Sequence, residues 1–174
     1  MKKAKIRLFI TGGTIDDVDY EKEEYAPINR DSFIPSLLRQ SRVRLRYDYE
    51  IILQKDSRFI TDSDVQLILD KCKTAIEDEI LITHGTYTLA NTAKALGVLN
   101  IPKTIVLFGS MVPINRDDSD ALFNLGNALM AVELLPHGVY VVSNGKIFNW
   151  DNVKKNEEGK FFELERESDS TLGQ

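Results

Sequence analysis

Cysteine and histidine are scarce in this chain of 174 residues, which contains one cysteine and two histidines. The single thiol, Cys72, excludes an internal disulfide bond, and the scarcity of both residue types argues against a zinc site. Cys72 also falls on the apolar stripe of a predicted helix. We therefore expect a buried thiol in a protein of the reducing cytoplasm.

Long hydrophobic runs and excess positive charge are absent as well. No window approaches the roughly 20 apolar residues of a membrane-spanning helix, and the N-terminal apolar run stops after Ile10, too early for a signal peptide. The formal net charge is −5 at pH 7, without the basic stripe that binds nucleic acid. The arginines at residues 42–46 alternate with apolar residues and are interpreted as the solvated face of a strand. We predict a cytoplasmic protein with no membrane and no nucleic-acid partner.

Apolar runs of strand length alternate with stretches of helical period along the chain. Strands are predicted at residues 6–10, 42–51, 80–82, 104–108 and 139–142. Helices are predicted from a cap at Asp31 through Leu38, from Thr61 or Asp62 through Ile76, and over residues 89–99 and 121–134. This order favours an α/β fold, a doubly wound, flavodoxin-like parallel sheet with strand order 2-1-3-4-5.

Two further signals lie towards the C-terminus. Asn144-Gly145 follows the fifth strand and predicts a C-terminal β-hairpin. Beyond Trp150 the chain becomes polar, so its last residues are expected to be frayed or to depend on a partner. We therefore expect one α/β domain over residues 1–164 and a polar tail over residues 165–174.

Small polar residues follow the strands at the edge of the sheet where doubly wound folds bind their ligands. These exits are Thr11-Gly12-Gly13-Thr14, Lys55-Asp56-Ser57, Thr83-His84-Gly85-Thr86 and Gly109-Ser110-Met111. With strand order 2-1-3-4-5, the first and third exits face one crevice. Neither a P-loop nor a GxGxxG pattern is present, so these residues alone predict a small polar ligand. His84 ends a buried strand and is interpreted as a core or turn residue.

Several motifs in order resemble the bacterial-type L-asparaginases. They are TGGTID at 11–16, KDS at 55–57, ITHGTYT at 82–88, KTIVLFGSMVP at 103–113, FNLGNAL at 123–129 and the NG…DNVKKN stretch at 144–156. The chain is most similar to short, single-domain members that lack the C-terminal domain. The resemblance implies an amidohydrolase that cleaves the side-chain amide of asparagine, or of glutamine, through an acyl-threonine. It implies no metal and no organic cofactor.

The resemblance also implies roles for individual residues. Thr14 matches the nucleophile, and Thr86 matches a second threonine that positions or activates the attacking water. Lys155 matches the lysine that supports Thr86, with Lys154 as the alternative alignment. Tyr20 matches the tyrosine that hydrogen-bonds the nucleophile, with Tyr25 as the alternative.

Substrate binding is assigned to the second and third exits. The resemblance implies that Ser57 binds the α-carboxylate of the substrate, that Asp56 next to it is a further binding residue, and that Thr86 also contacts the substrate. Tyr87 occupies the position of an aspartate that grips the α-ammonium group and completes the threonine-lysine group. A phenol with a pKa near 10 does not supply that charge at neutral pH.

Three hypotheses follow from these matches and departures. The first is an asparaginase-type amidohydrolase. The second, favoured by Tyr87, Phe108 and Val112, is a catalytically impaired relative that binds a small ligand or a partner. The third is a subunit of a larger amidotransferase. Because short members must close the site without a C-terminal domain, the resemblance implies a homodimer or homotetramer.

Overall fold

Five parallel strands form the centre of the computed structural model, which describes residues 5–26 and 31–166. They are β1 (Ile6–Gly12), β2 (Tyr47–Lys55), β3 (Glu79–Thr83), β4 (Thr104–Phe108) and β5 (Gly138–Ser143). An antiparallel strand, β6 (Lys146–Asn149), completes the sheet in the order β2-β1-β3-β4-β5-β6. The predicted α/β fold and strand order are confirmed, with the reversal between β1 and β3.

Helices cover both faces of the sheet. They are α1 (Ile34–Gln40), α2 (Asp62–Thr74), α3 (Leu89–Val98) and α4 (Ala121–Leu134). One core contains apolar residues of α1 and α4, and the other contains those of α2 and α3. Alternate residues of the strands enter the two cores: Leu81 packs with the first and Ile80 with the second. Burial on both faces explains the continuous apolar runs of β3 and β4.

Helix α2 begins where the sequence predicted. Thr61 accepts a hydrogen bond from the Asp64 amide, and the Asp64 carboxylate accepts one from the Thr61 amide, which completes a capping box. Cys72 is fully buried on this helix, and burial raises the pKa of its thiol to about 12. The predicted buried cysteine is confirmed.

Three details of the predicted elements are wrong. Asp31 does not cap α1: the helix starts after Phe33, and the Ser32 hydroxyl, rather than Asp31, accepts the Ile34 amide. Ile76 lies beyond the end of α2 and is 90% exposed. The second strand begins at Tyr47 rather than at residue 42, and Arg42 adopts a left-handed φ of 53°, which excludes that residue from a regular strand.

The C-terminal part contains two hairpins. Asn144 and Gly145 have φ values of 49° and 80° and connect β5 to β6, as the Asn-Gly pair predicts. A second hairpin, not foreseen from the sequence, joins β7 (Lys154–Asn156) to β8 (Phe161–Glu163). Most of the predicted tail, residues 167–174, lies outside the described residues.

The N-terminal ends of the strands are tied by a partly buried ion pair. Arg7 donates to both carboxylate oxygens of Glu77, at 3.2 and 2.8 Å, and the Glu77 side chain is only 4% exposed. Burial alone would raise the pKa of the Glu77 carboxyl, but the Arg7 hydrogen bonds outweigh it and hold the pKa below its usual value. Lys103 adds a hydrogen bond to the Glu77 carbonyl at 2.7 Å.

Replacing Arg7 by alanine is expected to lower the free energy of unfolding by roughly 2–4 kcal/mol at pH 7, because it leaves a buried carboxylate uncompensated. Since the folded pKa of Glu77 is depressed, its contribution is present above the unfolded pKa, about 4.3, and is lost as pH falls through the folded pKa. The difference between wild type and Arg7→Ala should therefore shrink below pH 4. Urea unfolding at pH 7 and in acid measures this, with the exposed Arg44→Ala as control.

Two further observations concern the residues that the structure describes. Among residues 5–26 and 31–166, no helix has the length and apolar character to cross a bilayer. Within the same ranges, no group of three or more histidine, cysteine, aspartate or glutamate side chains is arranged to hold a metal ion.

Candidate active site

The exits of β1 and β3 touch each other through two glycines. A Cβ at Gly13 would collide with the Cα and backbone nitrogen of Gly85. A Cβ at Gly85 would in turn lie 2.5 Å from the Ser57 hydroxyl oxygen, at the exit of β2. Because only glycine permits this approach, three strand exits meet at one place. Thr14 and Thr86 each directly follow one of the touching glycines.

The two threonines of the first exit have different environments. The Thr11 hydroxyl is buried and donates to the Thr83 carbonyl at 2.6 Å, so it serves to join β1 to β3. Thr14 opens a short 3-10 turn, Thr14–Asp16, and is only partly buried. The Gly13 amide donates to the Lys55 carbonyl at 2.9 Å, so this N–H is engaged within the fold and is not a donor for a substrate oxyanion.

The segment after Thr14 carries the two candidate tyrosines. Tyr20 is 8% exposed, stacks on Phe59 at 5.1 Å between ring centres, and its hydroxyl accepts the Asp56 amide at 3.4 Å. Tyr25 is 57% exposed, with the Lys22 ammonium 5.6 Å from its ring centre. Of the two alternatives left open by the sequence, the structure brings Tyr20 to the strand exits and leaves Tyr25 at the surface.

The second exit contains Asp56 and Ser57, both buried. Burial alone would raise the pKa of Asp56, but hydrogen bonds from the Arg58 side chain and amide hold it below its usual value. Arg58 thus occupies the Asp56 carboxylate. The Ser57 hydroxyl accepts the Tyr87 amide at 3.1 Å, and the Ser57 carbonyl accepts the Thr88 hydroxyl at 2.9 Å. These bonds fix the second exit against the third.

The third exit is built around a buried histidine. The His84 ring contacts the Gly85 carbonyl at 2.9 Å and the Thr92 hydroxyl at 3.0 Å, on α3. Burial lowers the pKa of His84 to about 4, so the ring is neutral at pH 7. The interpretation of His84 as a core residue is consistent with these contacts. Thr86 lies two residues after His84 and is 7% exposed.

Tyr87 and Lys155 lie against each other at the rim of the third exit. The Tyr87 side chain is 56% exposed, and the Lys155 ammonium lies 5.7 Å from the centre of its ring, a cation–π geometry. Lys155 also pairs with Glu157 at 3.1 Å, whereas Lys154 pairs with Glu163 at 3.4 Å. Of the two lysines, Lys155 is therefore the one that the structure places beside the third exit.

The fourth exit is less altered than its sequence suggested. Phe108 is fully buried in the core that contains α1 and α4, so its ring packs inside the domain rather than in the site. The residues after it are held by Asp120, whose carboxylate accepts the amides of Met111 and Val112 at 3.0 and 3.1 Å. Val112, the other apolar replacement, is partly buried.

Sequence reasoning missed the residues that hold these exits in place. The fully buried Asn124 donates to the Gly109 carbonyl and accepts the Asn144 amide, which links the ends of β4 and β5. Arg58 joins the second exit to the Tyr20 segment. Asn124 lies in the motif FNLGNAL, so the family resemblance includes its position, but the sequence did not predict its role. No sequence pattern around residue 58 indicated that Arg58 would link two segments.

Comparison with known proteins shows the family to which the chain belongs. The family model "Asparaginase, N-terminal" matches residues 5–174. The chain is 34% identical over 155 residues to an L-asparaginase of Thermococcus kodakarensis, covering 87% of this chain and 47% of that protein. It is also 31% identical over 160 residues to a glutamyl-tRNA(Gln) amidotransferase subunit of Aeropyrum pernix, covering 84% of this chain and 36% of that protein.

Solved structures show the same relationship. The thermostable L-asparaginase from Thermococcus kodakarensis superposes with a TM-score of 0.77 at 31% identity, over 92% of this chain and 51% of that chain. A probable cytoplasmic L-asparaginase from Campylobacter jejuni superposes with a TM-score of 0.73 at 29% identity, over 93% of this chain and 52% of that chain. The chain thus spans about half or less of the length of these relatives. It belongs to the asparaginase family and corresponds to the N-terminal domain of that family.

Proposed function

We propose that this protein is a threonine-dependent amidohydrolase that converts asparagine, or glutamine, to the corresponding acid and ammonia. Membership of the asparaginase family supports the reaction class. The observation that carries the proposal is the contact of Gly13 with Gly85 and of Gly85 with Ser57. This contact gathers Thr14, Thr86 and a buried serine at the reversal point of the sheet, where such folds bind ligands.

In the first step, the Thr14 hydroxyl oxygen attacks the amide carbon of the substrate. The new ester bond forms as the carbon–nitrogen bond breaks, and the hydroxyl proton leaves with the nitrogen as ammonia. A threonine hydroxyl needs a proton acceptor, and in this proposal Tyr20 hydrogen-bonds it. Tyr20 is buried with its hydroxyl at the end of β2, which supports its selection over the exposed Tyr25.

In the second step, water attacks the ester carbon and releases the acid and the free Thr14 hydroxyl. We assign the orientation of this water to Thr86, supported by Lys155. Thr86 is almost buried, and Lys155 is 14% exposed at the same exit. The burial of Thr86 and the partial burial of Lys155 limit competing solvent and strengthen their electrostatic effect on the reacting atoms.

Substrate binding in this proposal rests mainly on Ser57 and Thr86. The Ser57 hydroxyl accepts a hydrogen bond from the Tyr87 amide, which leaves its own proton to donate to a substrate carboxylate. Asp56, the other predicted binding residue, has its carboxylate on Arg58, so we assign it the shaping of the exit. Tyr87 contributes an aromatic surface in place of a negative charge.

The proposal is tested by incubating the purified protein with asparagine and with glutamine and measuring both ammonia and the amino-acid product. Equal amounts of ammonia and aspartate, or glutamate, are expected. Succinamate, which lacks the α-ammonium group, is the matched control substrate. No product from any of the three amides at high enzyme concentration would contradict the proposal.

A second candidate function is a catalytically impaired asparaginase-like protein that binds a small ligand or a partner. The exposed Tyr87 ring, with the Lys155 ammonium 5.7 Å from its centre, favours this candidate. Because the chain is similar to a glutamyl-tRNA(Gln) amidotransferase subunit, we expect such a partner to be another subunit of a larger assembly. Binding of aspartate without turnover of asparagine would favour this second candidate.

We further propose that the protein works in the cytoplasm as a homodimer or homotetramer. The similarity to a probable cytoplasmic L-asparaginase supports the location. The expected mass is two or four times 19.8 kDa, measured by light scattering coupled to size exclusion. A monomer at all concentrations that support hydrolysis would contradict the oligomer.

A further inference from the structure

The Arg58 side chain joins the segment that carries Tyr20 to the exit of β2. Its Nη2 donates to the Asp19 carboxylate at 2.6 Å and to the Tyr20 carbonyl at 2.7 Å. Its Nε donates to the two oxygens of Asp56 at 3.1 and 3.0 Å. One planar guanidinium therefore bridges two parts of the chain that are 36 or more residues apart.

The residues on either side of Arg58 extend the same junction. The Phe59 ring stacks on the Tyr20 ring at an interplanar angle of 8°, and the Arg58 guanidinium lies 5.9 Å from the Phe59 ring centre. The Asp56 amide donates to the Tyr20 hydroxyl. Backbone, ring and hydroxyl of Tyr20 are thus all held by residues of the segment 56–59, which includes Ser57.

The charges make this junction depend on Arg58. Burial, and next the hydrogen bond with Asp56, raise the pKa of Asp19, while the Arg58 charge lowers it. Two carboxyl groups lie close together here and repel when both are ionised. The Asp19 side chain is 58% exposed, so a lone ion pair to it would contribute little. A guanidinium shared by two carboxylates and a carbonyl is the arrangement that holds the segment.

We propose that Arg58 is a positioning residue that fixes Tyr20 at the exit of β2 and thereby orders the site around Ser57. This inference rests on the proposed function for its effect on turnover, but its effect on the segment is independent of catalysis. Lysine at this position keeps the charge but lacks the planar fork through which Nε and Nη2 together hold the Asp56 carboxylate, so Arg58→Lys should restore only part of the effect.

The segment offers a direct readout because it contains Glu21, Glu23 and Glu24, all exposed. A protease that cleaves after glutamate is expected to cut there about ten times faster in Arg58→Ala, because loss of charge-assisted hydrogen bonds raises the population of the open segment. Hydrogen exchange of a peptide over residues 15–26 should rise in parallel. Arg39→Ala, an exposed arginine on α1, is the matched control and should match wild type in both measurements.

Turnover supplies the third readout. The value of kcat/KM is expected to fall about tenfold in Arg58→Ala and to recover partly in Arg58→Lys. Unchanged cleavage and exchange in Arg58→Ala would overturn the proposal, and so would faster cleavage with unchanged kcat/KM. If the wild type hydrolyses no amide, the proposed function fails, and cleavage and exchange alone still decide whether Arg58 holds Tyr20.

Discussion

Thr14→Ala is expected to abolish ammonia release, with a loss of at least about 10³-fold in kcat, because removal of a nucleophile leaves only the residual catalysis of the binding site. The fold should not change, since Thr14 is partly exposed in a short turn and Thr11 carries the structural hydrogen bond to the Thr83 carbonyl. Ammonia release at saturating asparagine measures the effect, and urea unfolding verifies the fold.

Two variants make this prediction specific. Thr74→Ala removes an exposed hydroxyl at the end of α2, which leads into the N-terminal end of β3 at the edge of the sheet opposite the strand exits, and should retain full activity. Thr14→Ser keeps a hydroxyl and should retain a measurable fraction. A Thr14→Ala protein that still releases ammonia within tenfold of wild type would remove Thr14 from the nucleophile role.

Tyr87→Asp is expected to raise kcat/KM for asparagine by roughly 30- to 1000-fold, equivalent to about 2–4 kcal/mol for a charge-assisted contact to the substrate ammonium. The position is 56% exposed, so the substitution should cost little stability. Lys155, now on the phenol ring, would face a carboxylate instead, which favours the ionised form of both groups.

The charge is separated from the change in size by two further variants. Tyr87→Asn has nearly the size of aspartate without its charge and should give little of the gain. With succinamate, which has no ammonium group, Tyr87→Asp and wild type should differ much less. An equal rise in kcat/KM for Tyr87→Asp and Tyr87→Asn would mean that the bulk of the phenol, and not a missing charge, limits the site.

Local sequence predicts several features of the strand exits. The TGGT and THGT segments predict a ligand site from the sequence alone, because glycine and threonine at the end of an apolar run form a local pattern. Their adjacency also followed, since the order 2-1-3-4-5 fixes which exits meet. The failures were local: Ser32 rather than Asp31 takes the first amide of α1, and Arg42 has a left-handed φ that excludes it from β2.

The sequence does not distinguish between neighbouring residues of the same type. Tyr20 and Tyr25 share an acidic segment, and Lys154 and Lys155 are adjacent, so composition does not distinguish them. Stacking on Phe59 holds Tyr20 at the exit of β2, and strand alternation in β7 turns Lys155 rather than Lys154 towards Tyr87. Likewise, the sequence predicts that Phe108 alters the site, whereas its ring lies within the core.

The sequence by itself determined the family, the parallel sheet and the set of polar exits, because periodicity, glycine turns and ordered motifs are properties of short segments. Only the tertiary structure decided which side chains lie together at the strand exits and what holds them there. The Gly13–Gly85 approach, the Asn124 link and the Arg58 junction each join residues far apart in the chain. Such contacts depend on how the layers pack, which no single segment encodes.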